Sequence, residues 1–368
     1  MTSETIPATM QAVVLVGHGG FDKLVFHDDW KTPTPTDDQV LIKVGACGLN
    51  NTDVNTRSGW YSKAVSEATT GDAYSEVNED DPTWGGSPIT FPRIQGADAA
   101  GTVVACGKNV DKAIVGKRVI TDNWLRDWND PGNLYSTGYF GSECDGGYAQ
   151  YTCIDHRNVG VVDSSLSDAE LATFSCSYTT AEGMLTRANT TDADTVLVTG
   201  ASGGVGSAVV QLAKRRGARV VAMASESKHA MLRELGADAV IPRSPESLPD
   251  ALKQATGEEN ISVVADIVGG PNFGTLIECL RRGGRYTCSG AIAGPIVSFD
   301  LRTCYLNDLT FTGSTVVPPH IFHDLISFIE RGEVKPLLAK TWPLAELHLA
   351  QQAFIDKKHV GNIAVTMS

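Results

Sequence analysis

The sequence has no hydrophobic run approaching the roughly 20 residues that a membrane-spanning helix needs. It has few basic residues for its acidic content, with 30 Lys and Arg against 43 Asp and Glu, and the net charge of −13 argues against nucleic acid or an anionic membrane as the main partner. It has no CxxC pair, which argues against a structural zinc site and a disulfide framework. The scattered cysteines are Cys47, Cys106, Cys144, Cys153, Cys176, Cys279, Cys288 and Cys304. The first residues, MTSETIPATM, lack a signal-peptide pattern, and we expect a cytoplasmic protein.

The length of 368 residues predicts about two domains, because single hydrophobic cores stop growing near about 250–300 residues. Short β-rich stretches with Gly and Pro punctuation occur over 11–47, 100–119 and 146–154, and they predict a compact β-rich domain. Residues 58–92 are instead polar, acidic and without periodicity. We interpret them as a surface excursion that forms part of a lid or of an oligomer contact, and a loop without such a role is the alternative.

A different pattern begins near residue 165. Residues 167–188 have a helical composition, with Ser167 and Glu170 spaced as a capping box. Four strand–helix units follow, from TVLVTG (195–200) to FGTLIECLRRGG (273–284) and RYTCSG (285–290). This alternation predicts an α/β fold with helices on both faces of a parallel sheet. After about residue 310 the alternation stops, and the final segment contains one apolar strand.

The turn after TVLVTG carries the strongest local signal. It joins an apolar strand to a helix, and its residues are Ala201, Ser202, Gly203, Gly204, Val205 and Gly206. Gly203 would let the backbone approach a pyrophosphate, and Gly206 would let the helix pack closely on the strand. The free N–H groups and the dipole of the first helical turn favour phosphate there. The pattern predicts a dinucleotide site, and a glycine-rich turn without a ligand is the alternative.

The end of the next strand indicates which cofactor binds. An NAD site normally places Asp or Glu there to bind the ribose 2′-hydroxyl, but this chain has Ala224 and Ser225. Ser225 can donate a hydrogen bond to a 2′-phosphate and Lys228 can supply positive charge, whereas the nearby Glu226 opposes it. We predict NADPH over NADH, and an ordinary solvated helix position is the alternative for Lys228.

The order of segments resembles the medium-chain dehydrogenase/reductase superfamily over nearly the whole chain. The resemblance rests on GACGLNNTDVNTRSGWY (45–61), FPRIQGADAAGTVVACGKNV (91–110), GASGGVG (200–206), RELGADAVI (233–241) and HVGNIAV (359–365). It implies an α/β protein with a GroES-like, β-rich catalytic domain over 1–165 and 310–368. It also implies a Rossmann NADP-binding domain with a doubly wound parallel sheet over 166–309, and a homodimer whose sheets join across these Rossmann domains.

Within the superfamily, the chain resembles the quinone oxidoreductase branch and not the zinc alcohol dehydrogenases. Zinc members carry a Cys in a G-x-C-x-x-D turn and a His in a G-H-E turn, where this chain has Asn50 and Ala97. Cys176 aligns with the third ligand position, but one thiolate cannot hold Zn²⁺ without other ligands. We expect no metal, and an unusual site that includes Asp53, Asp98 and histidines is the alternative.

The resemblance implies transfer of a hydride from NADPH to a quinone or an α,β-unsaturated carbonyl compound. Without zinc no Lewis acid polarises an alcohol oxygen, whereas an enone develops an enolate that hydrogen bonds can stabilise. Asn50 could donate a hydrogen bond to this oxyanion, and Tyr61 could act as a donor or form a wall of the pocket. The alternatives are that Asn50 only stabilises a turn and that Tyr61 only packs. The competing functions are a zinc-independent carbonyl or alcohol oxidoreductase and a low-activity NADPH-binding relative.

The resemblance assigns further cofactor contacts. Thr180 matches a position near the nicotinamide-side phosphate or ribose, and two stretches that pass the nicotinamide contain Ser289, Gly290, Ser314 and Thr315. Bulky aromatic residues near the expected pocket favour an aromatic or apolar small-molecule substrate, or else pack long loops. They are Trp60, Trp84, Trp124, Trp128, Tyr135 and Tyr139.

Overall fold

The computed structural model describes residues 5–74, 77–78 and 80–367. Its strands are β1 (Thr9–Leu15), β2 (Leu24–Lys31), β3 (Gln39–Gly48), β4 (Arg93–Ile94), β5 (Asp98–Cys106), β6 (Arg118–Thr121), β7 (Trp124–Arg126), β8 (Thr137–Tyr139), β9 (Tyr151–Asp155), β10 (Val159–Val161), β11 (Thr195–Val198), β12 (Arg219–Ala224), β13 (Ala239–Pro242), β14 (Ile261–Asp266), β15 (Leu280–Cys288), β16 (Thr310–Gly313), β17 (Leu338–Pro343) and β18 (Asn362–Thr366). Its α-helices are α1 (Asn51–Ser58), α2 (Asp168–Leu171), α3 (Ser175–Arg187), α4 (Gly204–Arg215), α5 (His229–Glu234), α6 (Leu248–Thr256), α7 (Phe273–Glu278), α8 (Leu301–Leu306), α9 (Pro319–Glu330) and α10 (Leu347–Ile355).

The chain forms two compact units. Unit 1 contains the described residues up to Val65, from Thr70 to Cys176, and from Pro318 onward, and unit 2 contains Ser66–Thr69 and Ser177–Val317. The predicted boundaries, at 165/166 and 309/310, lie N-terminal to these divisions. The second difference has a clear cause, because β16 pairs in parallel with β15 and so completes the sheet of unit 2.

Unit 1 is the β-rich part of the fold. Its larger sheet has the order β10-β6-β5-β3-β18-β17, with β9 also paired to β3, and a smaller sheet has the order β2-β1-β4. Aliphatic residues of β3, such as Val40 and Ile42, are fully buried in its core. Helix α10 covers this core with Leu347, Ala350 and Phe354, which share one face at helical spacing.

Unit 2 is a parallel sheet with the order β13-β12-β11-β14-β15-β16. Strand β14 is buried at every residue, so the apolar residues Val263, Val264 and Ala265 follow one another along it without alternating with exposed polar residues. Helix α4 turns Val209, Leu212 and Ala213 toward the interior. These features confirm the predicted α/β fold.

Two predicted helices are shorter than their patterns indicated. The helical stretch 167–188 is interrupted between α2 and α3, although its capping box is confirmed by the 2.7 Å bond from Ser167 N–H to Glu170 Oε2. The stretch 273–284 forms only α7, and its second half is strand from Leu280. Parallel pairing with β14 accounts for this difference, since Leu280 aligns with Ile261.

The described residues of the excursion 58–92 contain neither helix nor strand beyond the end of α1. Side-chain hydrogen bonds hold them instead. The carboxylate of Asp81 accepts from Ser62 Oγ at 2.7 Å, from the Lys63 N–H at 2.9 Å and from Asn78 Nδ2 at 3.0 Å. Such local bonds replace a ladder of backbone hydrogen bonds, which is why periodicity gave no signal here.

None of the helices in the described part of the chain is long and apolar enough to cross a membrane.

Candidate active site

Helix α4 starts at Gly204, in the turn that follows β11. Its N-cap residue Gly203 has an extended backbone, with φ −83° and ψ 176°. A Cβ built at Gly203 would have only the Gly200 carbonyl oxygen within 4 Å, at 3.6 Å. Ala201 is buried, and residues 202–205 are half-buried. The open space above the first helical turn, where N–H groups have no intrahelical partner, fits the pyrophosphate of a dinucleotide.

Gly206 lies where α4 packs against the turn. A Cβ there would lie 2.3 Å from the Gly200 carbonyl oxygen and 2.8 Å from Ala201 Cα, so any side chain pushes the helix start outward. We expect Gly206→Ala to weaken nicotinamide-dinucleotide binding about 10-fold and to lower the free energy of unfolding by about 1–3 kcal/mol. Fluorescence titration and thermal unfolding measure the two effects.

Gly274→Ala is the matched control for that experiment. Gly274 lies in α7 of the same unit, and an added Cβ would meet nothing within 4 Å. Alanine there should be neutral or stabilising, by up to about 1 kcal/mol. Equal dinucleotide affinities and equal stabilities for the wild type and Gly206→Ala would contradict the packing role of Gly206.

The adenosine end of the predicted site lies at the carboxyl ends of β12 and β13. Ser225 follows β12 with no carboxylate at the position that an NAD site uses. Pairing aligns Ala224 with Pro242, so Ser225 and Arg243 follow neighbouring strands at the same edge of the sheet. The pKa of Lys228 is lowered, first by burial and then by the positive charge of Arg243. Two cations therefore lie close together here, and the register of β13 locates Arg243, which the sequence analysis missed.

The remaining predicted cofactor residues lie on α3 and at the ends of β15 and β16. Thr180 is half-buried on α3, Ser289 and Gly290 follow β15, and Ser314 and Thr315 follow β16. Ser314 Oγ is buried without a hydrogen-bond partner among the described residues. Since parallel strands end at one edge of a sheet, these turns share an edge with the turn after β11.

In unit 1, Asn50 caps the start of α1 and is 6% exposed. Its Nδ2 donates to Asp98 Oδ2 at 3.1 Å, and the Cys176 N–H donates to Asp98 Oδ1 at 2.8 Å. The Asn50 N–H donates to Asp53 Oδ2 at 2.8 Å, and the Tyr148 hydroxyl donates to the same oxygen at 2.9 Å. Two buried carboxyl groups therefore flank Asn50, and both accept hydrogen bonds from uncharged donors.

Burial dominates the titration of these two carboxyl groups. It raises the pKa of Asp98 to about 7, against the opposing hydrogen bonds from Asn50 and Cys176. It raises the pKa of Asp53 to about 6, against hydrogen bonds from Asn50, Tyr148 and others. Near neutral pH the cluster therefore holds an exchangeable proton beside Asn50.

The positions that correspond to zinc ligands in related enzymes do not fit zinc. Asn50 offers an amide that donates to Asp98, and Ala97 has no donor atom. Cys176 Sγ accepts from the Tyr139 hydroxyl at 3.3 Å. Over the described residues, no three His, Cys, Asp or Glu side chains converge as a metal-ligand group.

Tyr61 lines a cavity of about 250 Å³ in unit 1, and Asn50 is not among the residues that line it. Most of the wall comes from residues 59–89 of the excursion, together with His18, Asn55 and Thr56. The excursion therefore forms a pocket wall, a role that its sequence pattern could not distinguish from a bare loop.

Tyr61 is 38% exposed as a residue, yet its hydroxyl group is largely desolvated. Desolvation raises the pKa of Tyr61 to about 12, and hydrogen bonds with the side chains of Thr52 and Asn55 oppose that shift. The phenol therefore stays protonated at neutral pH and can act as a hydrogen-bond donor.

Four of the six predicted aromatic residues gather around Tyr61. The Tyr61 ring centroid lies 5.6 Å from that of Trp60 and 5.1 Å from that of Trp84, and further ring contacts join Trp124 and Tyr139. The other two lie elsewhere: Trp128 packs against the Arg157 guanidinium, and Tyr135 is fully exposed.

Comparison with known proteins places the chain in a family. Residues 36–164 match the family described as alcohol dehydrogenase GroES-like domain, and residues 204–331 match zinc-binding dehydrogenase. A solved structure from Sinorhizobium meliloti 1021, provisionally named an alcohol dehydrogenase, is 45% identical with a TM-score of 0.89, over 98% of this chain and 97% of that one. Acryloyl-coenzyme A reductase of Metallosphaera sedula is 27% identical over 97% of this chain and 100% of its own. Quinone oxidoreductase of Homo sapiens is 27% identical over 94% of both chains. The chain belongs to the medium-chain dehydrogenase/reductase superfamily, in a quinone oxidoreductase-like branch.

Proposed function

We propose that the protein reduces a quinone or an α,β-unsaturated carbonyl compound with NADPH and without zinc. The observation that carries the proposal is the hydrogen-bonded pair of Asn50 and Asp98 at the zinc-ligand position, where a polar amide and a protonatable carboxyl group replace a Lewis acid. The names of the quinone oxidoreductase and the acryloyl-coenzyme A reductase support this chemistry. The name of the Sinorhizobium protein favours the second candidate, a zinc-independent carbonyl or alcohol oxidoreductase.

Each residue of the proposed site has a separate role in the reaction. NADPH, held by the turn 201–206, supplies the hydride when it is bound. Tyr61 donates a hydrogen bond to the carbonyl oxygen of the acceptor, because its phenol stays protonated. Asn50 is the second proposed donor, since its amide carries two N–H bonds and Asp98 accepts one; because it lies outside the lining of the cavity beside Tyr61, this role requires the acceptor to extend beyond that cavity. Asp98 orients Asn50 and holds a proton near neutral pH.

The test is NADPH oxidation by metal-stripped protein with a quinone, an enone and a simple ketone in parallel. We expect turnover of the quinone or the enone and not of the ketone. Tyr61→Phe should lower kcat by about 100-fold through loss of one donor to the oxyanion, while the exposed Tyr135→Phe control should keep wild-type activity.

Each other outcome of that assay has a definite meaning. Activity that disappears on stripping and returns with Zn²⁺ would contradict the zinc-free mechanism. Turnover of the ketone would favour the carbonyl or alcohol oxidoreductase. Tight NADPH binding with no turnover of any acceptor would favour a low-activity NADPH-binding relative.

The preference for NADPH is proposed from the cations beside Ser225. Lys228→Ala combined with Arg243→Ala should raise the KM for NADPH by roughly 100-fold and leave the KM for NADH unchanged, because only NADPH carries the 2′-phosphate. Glu226→Gln is a control for which the opposite change in KM is expected. Removing an exposed negative charge from the same turn should lower the KM for NADPH. Equal kcat/KM values of the wild type for the two cofactors would contradict the preference.

A homodimer is proposed through the edge strand β16 of unit 2. Exposed apolar side chains concentrate just before it: Ile296 is 75% exposed, Leu301 70%, Tyr305 63% and Leu306 56%. Such a patch is typical of an interaction surface. Leu301→Glu with Tyr305→Glu should convert a dimer to a monomer in light scattering, while Leu349→Glu on α10 of unit 1 should not. A monomeric wild type would contradict the proposal.

A further inference from the structure

The cavity of unit 1 has an aromatic wall that is fixed from several sides. The Trp84 ring meets Tyr61 edge-on with centroids 5.1 Å apart, Trp124 at 5.8 Å, and Tyr139 at 5.6 Å. Trp124 and Tyr139 are both buried and pack on each other at 5.0 Å. Trp84 therefore moves only if three ring contacts break.

The residues on both sides of Trp84 donate hydrogen bonds to a single carboxylate. Glu143 Oε1 accepts from Thr83 Oγ1 at 2.6 Å and from the Gly85 N–H at 2.7 Å. Glu143 Oε2 accepts from the Tyr139 N–H at 2.7 Å, which links the same carboxylate to the aromatic wall. The ring contacts and these hydrogen bonds act together, so Trp84 is a rigid boundary of the cavity.

The cavity is small and carries negative charge. Its volume of about 250 Å³ lies below the range of about 300–1,000 Å³ for drug-sized ligands. Its described lining residues include Asp81 but no Lys or Arg. Hydrogen bonds from Ser62 and the Lys63 N–H lower the pKa of Asp81, so the carboxylate stays ionised. A negatively charged acceptor would meet this carboxylate without a Lys or Arg in the wall to offset it, since His18 is the one basic residue among the described lining residues.

We infer that this cavity takes a compact, uncharged, planar acceptor, such as a single-ring quinone or a cyclic enone, and that Trp84 sets its upper size. The inference rests on the proposed reductase function and narrows it. The names of the relatives include reductases of quinones and of a coenzyme A thioester, and the inference distinguishes these two classes of acceptor. A coenzyme A thioester carries several phosphate charges and a long chain, whereas a ring quinone carries neither.

The test compares kcat/KM with NADPH for 1,4-benzoquinone, 2-cyclohexen-1-one, the same enone ring bearing a carboxylate, crotonyl-coenzyme A and 9,10-phenanthrenequinone. We expect the wild type to favour the two compact neutral rings over the charged acceptors by about 100-fold. Trp84→Ala should raise kcat/KM for the three-ring quinone by about 10-fold relative to benzoquinone. Trp128→Ala is the matched control, since Trp128 lies outside the cavity wall and bonds to Asn158.

Several outcomes would overturn the inference while the reductase function stands. One is equal turnover of crotonyl-coenzyme A and the neutral rings, and another is a size preference that Trp84→Ala leaves unchanged. If Trp84→Ala does not fold, Trp84→Leu keeps part of the apolar volume and tests the same size limit. If no acceptor is turned over, the proposed function fails, and calorimetric binding of cyclohexanone against coenzyme A then decides the inference: tighter binding of the ketone supports it, and tighter binding of coenzyme A overturns it.

Discussion

Arg57→Met is expected to lower the free energy of unfolding by about 3–5 kcal/mol. Arg57 lies fully buried at the end of α1. Its Nη1 donates to the Gly19 carbonyl oxygen at 2.7 Å, its Nη2 to the Gly71 carbonyl oxygen at 2.9 Å, and its Nε to Gln351 Oε1 at 2.9 Å. The variant leaves these three acceptors without their donor, each at a cost of about 1–2 kcal/mol.

Urea unfolding measures this loss, and two other variants calibrate it. Arg57→Lys keeps the charge but cannot reach three acceptors in different directions, so an intermediate loss is expected. Arg157→Met is the surface control, because Arg157 pairs with Asp155 at the surface and exposed pairs contribute about 0–1 kcal/mol. Equal unfolding midpoints for Arg57→Met and the wild type would show that other groups satisfy the three acceptors.

Asp98→Asn should remove a pH dependence of stability worth about 4 kcal/mol between pH 4 and pH 8. Burial raises the pKa of Asp98 from 3.8 to about 7, so the folded state favours the protonated carboxyl group. Its contribution is present in full below about pH 4 and is lost as the pH rises through about 7. The variant has no such titration, so its stability relative to the wild type should increase steadily with pH.

The slope of stability with pH is the measured quantity, because it is independent of any constant cost of the substitution. Asp53→Asn serves as a graded comparison, since the pKa of Asp53 is raised only to about 6 and its removal should flatten the slope less. Unfolding midpoints at half-unit pH steps test both variants. A slope that Asp98→Asn leaves unaltered would mean that Asp98 is ionised in the folded protein throughout this range.

Local sequence patterns were sufficient to predict the α/β fold and to identify the turn 201–206. An apolar strand, a glycine turn and a helix are neighbours in sequence, so their geometry follows from short-range rules. The unit boundary near 310 was misplaced because β16 is short and its pattern is largely exposed, and only pairing with β15 assigns it to unit 2. The stretch 273–284 was misread for a similar reason, since Leu280 is in a strand through its contact with β14.

The polar parts of the site depended on contacts between distant residues. Asn50 and Tyr61 were identified from a motif, but the carboxyl partner of Asn50 is 48 residues away in sequence. Arg243 comes near Lys228 only through the pairing of β12 with β13. Glu143 accepts hydrogen bonds from Thr83 and Gly85, which flank Trp84 about 60 residues earlier in a segment without periodicity, so no local rule could relate them. Motifs therefore indicate which residues carry the chemistry, whereas the tertiary fold determines their protonation and orientation.

The position of β18 has a consequence for biosynthesis. Ala364, Val365 and Thr366 pair with Gly48, Cys47 and Ala46 of β3, across more than 300 residues of chain. The pairing has a very high contact order because of this separation. During translation, that part of β3 cannot pair with β18 until residue 366 has emerged from the ribosome. The nascent chain meanwhile presents an apolar, unpaired strand edge, the kind of surface that chaperones bind and that aggregates form on.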